Sequence, residues 1–136
     1  MTRVFADTSH FIALLTEDDR YHARAAEASE RFTRVVTTVW VMTELAAYFS
    51  DPARRSYFTR LLARIRSNPT VEFVTADQDL FDRGAELYAE RPDKSWSLVD
   101  CISFVVMRRL NIRRAISFDN HFRQFGEFEI IPKKFP

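Results

Sequence analysis

Five short runs of strand-forming residues alternate with stretches of helical periodicity, and this alternation limits the chain to a narrow set of folds. The runs are Arg3–Ala6, Val35–Thr37, Val71–Thr75, Arg114–Phe118 and Phe128–Ile131. The helical stretches are Ser9–Leu15, His22–Phe32, Val39–Phe49, Pro52–Ser67, Asp77–Arg91 and Ser97–Leu110, with Pro52 and Pro69 as punctuation. Strands of buried character joined by helices imply a parallel sheet covered on both faces, an α/β fold. A chain of 136 residues suits one domain, spanning 1–136, and buries roughly two thirds of its unfolded surface. Only Gly84 and Gly126 are glycine, so there is no phosphate-cradling loop, and Rossmann and P-loop nucleotide sites are excluded.

In an open parallel sheet, function sits beyond the carboxyl ends of the strands. The first strand runs into Asp7 in "VFADTSHF" and the fourth into Asp119 in "AISFDNHF". A helix preceding a strand runs antiparallel to it, so the start of the Ser97–Leu110 helix lies at the same end. That helix, within "WSLVDCISFVVMRRL", carries Asp100 as the one charged residue between Leu98 and Met107. Glu44 in "VWVMTELAAYF" is another acid among apolar neighbours, about a turn and a half into the helix after the second strand.

Each acid has a structural explanation. Asp7 and Asp119 could be N-caps, Asp100 lies three residues after Ser97 at capping-box spacing, and Glu44 could pair with Arg60 or Arg64. Together on one rim, four carboxylates repel one another unless a cation joins them. A set of oxygen ligands with no histidine or cysteine cluster suits Mg²⁺ or Mn²⁺ rather than zinc.

Net charge is +1, which argues neither for nor against nucleic acid. Of the 20 basic residues only Lys94, Lys133 and Lys134 are lysine, and the arginine fork suits phosphate contacts, although a solvated arginine-rich surface explains it equally. Cys101 is the sole cysteine, which points to a buried, inert thiol and a reducing cytoplasm. The N-terminus lacks the pattern of a targeting segment, and no stretch approaches the ~18 apolar residues of a membrane span.

"FADTSHFIALL", Glu44 after the second strand, "WSLVDCISF" and "ISFDNHF" together resemble the PIN domain of the VapC type, the toxin ribonucleases of bacterial and archaeal toxin–antitoxin pairs. The resemblance spans essentially the whole chain. It implies a PIN-like three-layer sandwich whose five-stranded parallel sheet has the order 3-2-1-4-5, making the strands before Asp7 and Asp119 neighbours. It also assigns Asp7, Glu44, Asp100 and Asp119 to the catalytic, metal-binding positions, and Thr8 or Ser9 to the hydroxyl that follows the first aspartate. Ser97 is expected to cap the helix that presents Asp100. His121 is a departure, because many members carry a further acid two residues after the fourth; it either contacts phosphate or packs at a helix start, and binding of a second metal ion is left open.

The chemistry so implied is hydrolysis of RNA phosphodiester bonds by water activated on Mg²⁺ or Mn²⁺, giving a 5′-phosphate and a 3′-hydroxyl. His10 and His22 have no catalytic partner in their motifs and read as structural. The expected partners are an RNA substrate, a cognate antitoxin protein and a second copy of the chain in a C₂ homodimer beside an arginine-lined groove, with no membrane. The 13 phenylalanines and the apolar face of "SYFTRLLARIRS" favour the dimer. Two alternatives stand beside this: a PIN nuclease of RNA processing or DNA maintenance, and a non-catalytic RNA- or protein-binding module whose acids survive as caps.

Overall fold

A computed structural model describes residues 3–133. The elements run β1 (Arg3–Ala6), α1 (Thr8–Leu15), α2 (His22–Arg31), β2 (Arg34–Thr38), α3 (Val39–Tyr48), α4 (Arg55–Ser67), β3 (Val71–Val74), α5 (Gln78–Glu90), α6 (Leu98–Arg109), β4 (Arg114–Ile116), α7 (Asn120–Phe125) and β5 (Glu129–Ile131). All strand pairs are parallel and the order is β3-β2-β1-β4-β5, as the resemblance implied. The chain leaves β1 toward β2 on one side and returns to β4 on the other, so the switch point of the sheet lies between β1 and β4. Among the described residues no helix is long and apolar enough to cross a membrane.

Successive side chains along a strand face opposite sides of the sheet, and here the two sides differ in weight. Phe5, Ala115 and Ile130 join the large core with Val41, Leu45, Ile102, Phe104 and Met107. Val4, Ile116 and Ile131 point the other way, into a small cluster with Ala28 of α2 and with Phe32. The heavy side is rich in rings: Phe104 stacks on Phe125 at 4.3 Å, and Trp96 meets both edge-on. These contacts hold the start of α6 against α7.

Most elements fall within a residue or two of the sequence reading; two boundaries differ and one helix is added, for identifiable reasons. β4 stops at Ile116 instead of Phe118: the Ser117 N–H makes the last ladder bond, to the Ile131 carbonyl at 3.1 Å, and the Phe118 and Asp119 N–H groups turn to the Ser9 and Ser117 hydroxyls. α4 starts at Arg55 instead of Pro52, because the backbone N–H groups of Arg54 and Arg55 turn back onto the Asp51 carbonyl at 3.0 and 3.1 Å. α7 is a six-residue helix absent from the predicted elements. It is too short to show a period, and Gly126, at φ 80°, ends it in the left-handed conformation that costs glycine least.

Gly84 sits where α5 crosses α6. A Cβ there would lie 2.3 Å from Ile102 Cγ1 and 3.0 Å from Ile102 Cα. Ile102 is 1% exposed and has no space to yield. The Gly84→Ala change gains up to about 1 kcal/mol of helix propensity but overpacks a closed interface, which costs about 1–3 kcal/mol. We expect a net loss of stability, read as a lower denaturant midpoint at unchanged slope; a midpoint equal to or above wild type would refute the tight crossing.

Candidate active site

Each aspartate at the rim is delivered by the local chemistry of a helix start. The first N–H groups of a helix lack an acceptor, and a side chain at the preceding position supplies one. Asp7 Oδ1 accepts from the His10 backbone at 3.1 Å, and Asp119 Oδ1 from the His121 backbone at 2.9 Å. Ser97 and Asp100 form a reciprocal capping box, with the Asp100 N–H on Ser97 Oγ and the Ser97 N–H on Asp100 Oδ2, both 3.0 Å. The structural explanation of all three therefore holds. Glu44 differs, since among the described residues it has no ion pair, and the expected pairing with Arg60 or Arg64 is absent.

Capping does not exhaust these carboxylates. Asp100 Oδ2 also accepts from His121 Nδ1 at 2.7 Å, and Asp119 Oδ1 lies 3.4 Å from the same nitrogen. Asp100 Oδ1 and Asp119 Oδ2 accept no hydrogen bond among the described residues. One ligand atom each from Asp100, Asp119 and His121 lie within 4.8 Å of one another, close enough to share an ion. His121, read from sequence as a phosphate contact or a packing residue, thus stands among the acids.

Asp7 is the most enclosed member, 6% exposed. The Ser9 and Ser117 hydroxyls donate to its two oxygens, each at 2.6 Å. Ser9 Oγ in turn accepts from the Phe118 N–H at 2.9 Å, and Ser117 Oγ from the Asp119 N–H at 3.1 Å. Ser117 was not among the predicted site residues. Its signal was a fully buried hydroxyl at the end of an apolar strand, and the pairing of Ala6 with Ile116 sets it beside Asp7.

The electrostatics join the four acids. Burial pushes the Asp7 carboxyl up to about 7 despite hydrogen bonds from Ser117, Ser9 and His10, and Asp100 adds to the rise. Burial also raises Asp100, against the Ser97 N–H and His121, with Asp119 raising it further. Glu44 is raised by burial and by the charges of Asp100 and Asp119, offset in part by Thr8 nearby. Thr8 Oγ1 itself is buried without a hydrogen bond of regular geometry. No lysine or arginine of the described residues pairs with any of the four. Unsatisfied carboxylate oxygens and an adjacent imidazole form a donor set that fits a divalent cation.

Other predicted features fall outside the rim. His10 is buried with Nε2 on Ser29 Oγ at 3.1 Å, and His22 Nδ1 lies 2.9 Å from the Ala13 carbonyl, both structural as read. Cys101 is a buried free thiol, pushed up to about 11 by burial.

These shifts set the pH dependence of the metal-free protein. Asp7 titrates near 7 when folded and at 3.8 ordinarily, so its contribution is full at low pH and lost as pH rises through 7. Glu44 and Asp100 act in the same direction. His10 opposes them: burial holds it near 4 instead of 6.5, so its contribution is full above 6.5 and lost as pH falls toward 4. In EDTA we expect the denaturation midpoint to rise from about pH 8 to about pH 6, then flatten on further acidification as His10 opposes the carboxyls. Asp7→Asn should weaken the rise and leave the His10 decline more visible. A wild-type midpoint that falls between pH 8 and 6 would count against a buried, proton-binding Asp7.

Comparison with known proteins agrees with this architecture. Residues 4–127 match the model of the PIN domain family. The 23S rRNA-specific endonuclease VapC20 of Mycobacterium tuberculosis is 30% identical over 132 residues, 96% of this chain and 99% of that protein. The crystal structure of Mycobacterium tuberculosis VapC20, described as a sarcin-ricin loop cleaving toxin, superposes with a TM-score of 0.84 at 27% identity, over 93% of this chain and 97% of the other. A toxin–antitoxin complex from Klebsiella pneumoniae contains a chain that matches at a TM-score of 0.67 and 16% identity, covering 98% and 99%, a likeness of fold. The family match begins inside β1 and runs through α7, taking in the whole acidic rim, and the chain belongs to the PIN domain family.

Proposed function

We propose that this chain is a metal-dependent endoribonuclease and the toxin of a toxin–antitoxin pair, acting as one domain over residues 1–136, with Asp7, Glu44, Asp100 and Asp119 as its catalytic, metal-holding residues. The observation that carries the reading is the rim itself: Asp100, Asp119 and His121 bring ligand atoms within 4.8 Å of one another, the charge of Asp100 reaches Asp7 and Glu44, and no lysine or arginine of the described residues pairs with the four acids. Mg²⁺ is the expected ion; with His121 Nδ1 donating to Asp100, its Nε2 is the nitrogen that would suit Mn²⁺. Asp7, Glu44, Asp100 and Asp119 would hold the ion, which when bound would supply water activation and charge stabilisation for phosphodiester hydrolysis.

The residues of the chain supply aim and exclusion. Ser9 and Ser117 fix Asp7 from two sides, so its carboxylate cannot rotate away from the rim. Ser97 and His121 together hold Asp100 through Oδ2 and leave Oδ1 without a donor among the described residues. Hydrolysis makes a bond from water oxygen to phosphorus and breaks the bond to the 3′-oxygen, which leaves with a proton as the 3′-hydroxyl. No side-chain nucleophile is required. Cys101 is buried and protonated, and the Ser9 and Ser117 hydroxyls are committed to Asp7.

Similarity to a 23S rRNA-specific endonuclease makes an rRNA loop the substrate class to test first, and similarity to a chain of a toxin–antitoxin complex supports an antitoxin partner; the cytoplasm is the compartment proposed for both, on the single buried free thiol. The caps formed by Asp7, Asp100 and Asp119 favour a second reading, a non-catalytic module. Sequencing the 5′ ends of cleaved RNA after induced expression separates the two, with discrete rRNA cuts expected. In purified protein, Mg²⁺ or Mn²⁺ should raise the melting temperature, EDTA should abolish cleavage, and Asp100→Asn should abolish cleavage while shrinking the metal-induced shift. Asp100→Asn removes a like charge and should leave the metal-free form as stable as wild type or more so. Wild-type cleavage rates in that variant would reduce Asp100 to a cap.

Assembly is proposed as a homodimer. Tyr48 and Tyr57, 47% and 38% exposed, sit on α3 and α4 and give those helices an incompletely covered apolar surface. Light scattering at tens of micromolar should return twice the mass of the 16.0 kDa chain, and a monomer there would contradict it.

A further inference from the structure

We propose that the cleft between the end of α5 and the start of α6 binds a nucleotide flanking the scissile phosphate, with Tyr88 as the stacking face and Arg91 and Lys94 as the phosphate contacts. The proposal rests on the endoribonuclease reading and goes beyond it by naming a substrate subsite outside the acidic rim. The cleft encloses about 930 Å³, and Ala85, Tyr88, Arg91, Lys94, Trp96 and Ser97 are among its lining residues. That is the size of a small-molecule site, ample for a nucleotide.

The chemistry of the lining selects the ligand. Tyr88 is 54% exposed, more than any other large apolar side chain among the described residues, and a ring presented to solvent at a cleft mouth is a surface on which any base can stack. Trp96, 4% exposed, is the floor and not the platform. Its indole N–H donates to Gln124 Oε1 at 3.1 Å, and its ring carries the Arg91 guanidinium at 5.1 Å and the Lys94 ammonium at 5.9 Å. Attraction to the ring keeps both cations over the cleft instead of dispersed in solvent. Arg91 also pairs with Asp93, two hydrogen bonds of 3.0 Å; an exposed pair of this kind is weak enough for a phosphate to compete.

The cleft is continuous with the rim. Ser97 lines the cleft, and its backbone N–H donates to Asp100 Oδ2 at 3.0 Å. The cleft thus adjoins the acidic rim at Ser97, so a strand bound at Asp100 has a basic, aromatic surface within reach of its neighbouring nucleotide.

The test uses the full chain carrying Asp119→Asn, which silences cleavage and lowers the repulsion of phosphate, with binding followed by fluorescence anisotropy of a short, labelled, mixed-sequence single-stranded RNA. In this background Tyr88→Ala should weaken binding about 5-fold or more, while Tyr88→Phe stays within about 2-fold, because stacking needs only a ring. Replacing Arg91 and Lys94 together by alanine should weaken binding and reduce the slope of log affinity against log salt by about 1.4, the loss of two single-strand phosphate contacts at about 0.7 each. As a measure free of substitution in the cleft, 4-thiouridine in the same RNA should crosslink to the segment bearing Tyr88. Unchanged affinity and salt slope in the cleft variants, with crosslinks elsewhere, would overturn the subsite; the nuclease reading would survive if wild type cleaves that RNA in Mg²⁺. Failure of the background to bind RNA together with failure of wild type to cleave it would sink both.

Discussion

The Asp7 carboxylate is almost withdrawn from water at the junction of β1 and β4, and the rim is organised around keeping it there. Burial of an ionised carboxylate is unfavourable unless donors replace its hydration. Two hydroxyls and one backbone N–H do so, and they come from two segments: Ser9 and His10 of α1, and Ser117 beyond β4. Because Ser9 also accepts from the Phe118 backbone and Ser117 from the Asp119 backbone, the same bonds tie α1 and the exit of β4 to one carboxylate. The compensation is partial. A carboxyl still pushed up to about 7 opposes folding at neutral pH, which is expected where a site is kept for a ligand and not for stability.

Capping and ligand holding are compatible at this rim because they use different oxygens. Asp119 gives Oδ1 to the start of α7, and Asp100 gives Oδ2 to the start of α6 and to His121. In each case the helix restrains the carboxylate while the second oxygen stays unsatisfied. The positive ends of helix dipoles favour the ionised form, so a helix start can hold a carboxylate near others that would repel it. His121 adds a polar partner where like charge would otherwise accumulate, and brings a nitrogen into what would be an oxygen-only ligand set.

The heavy side of the core positions these helix starts. Gly84 lets α5 lie directly on Ile102, and the Phe104, Phe125 and Trp96 rings lock the beginning of α6 to α7. One rigid corner thus presents Asp100 on one flank of Ser97 and the proposed nucleotide cleft on the other. A displacement of α6 would move both together.

Much of this was legible in the chain. Strand and helix periodicity is local, so Arg3–Ala6 and Ser97–Leu110 could be recognised within a residue or two of their ends, and polar residues embedded in apolar runs exposed Asp7, Glu44, Asp100 and Asp119. The α/β class followed from alternation alone, whereas the strand order came from family resemblance. What stayed hidden depends on contacts between segments far apart in sequence. Ser117 became a partner of Asp7 only through the pairing of Ala6 with Ile116, and α7 was too short to carry a period of its own. That Glu44 has no ion pair among the described residues, and that the His121 ring approaches Asp100, likewise required the packed helices. Sequence by itself determined which residues are too polar for where they lie; only the tertiary structure decided which oxygens already have donors and which are left for an ion, because that depends on distances and angles across separate elements.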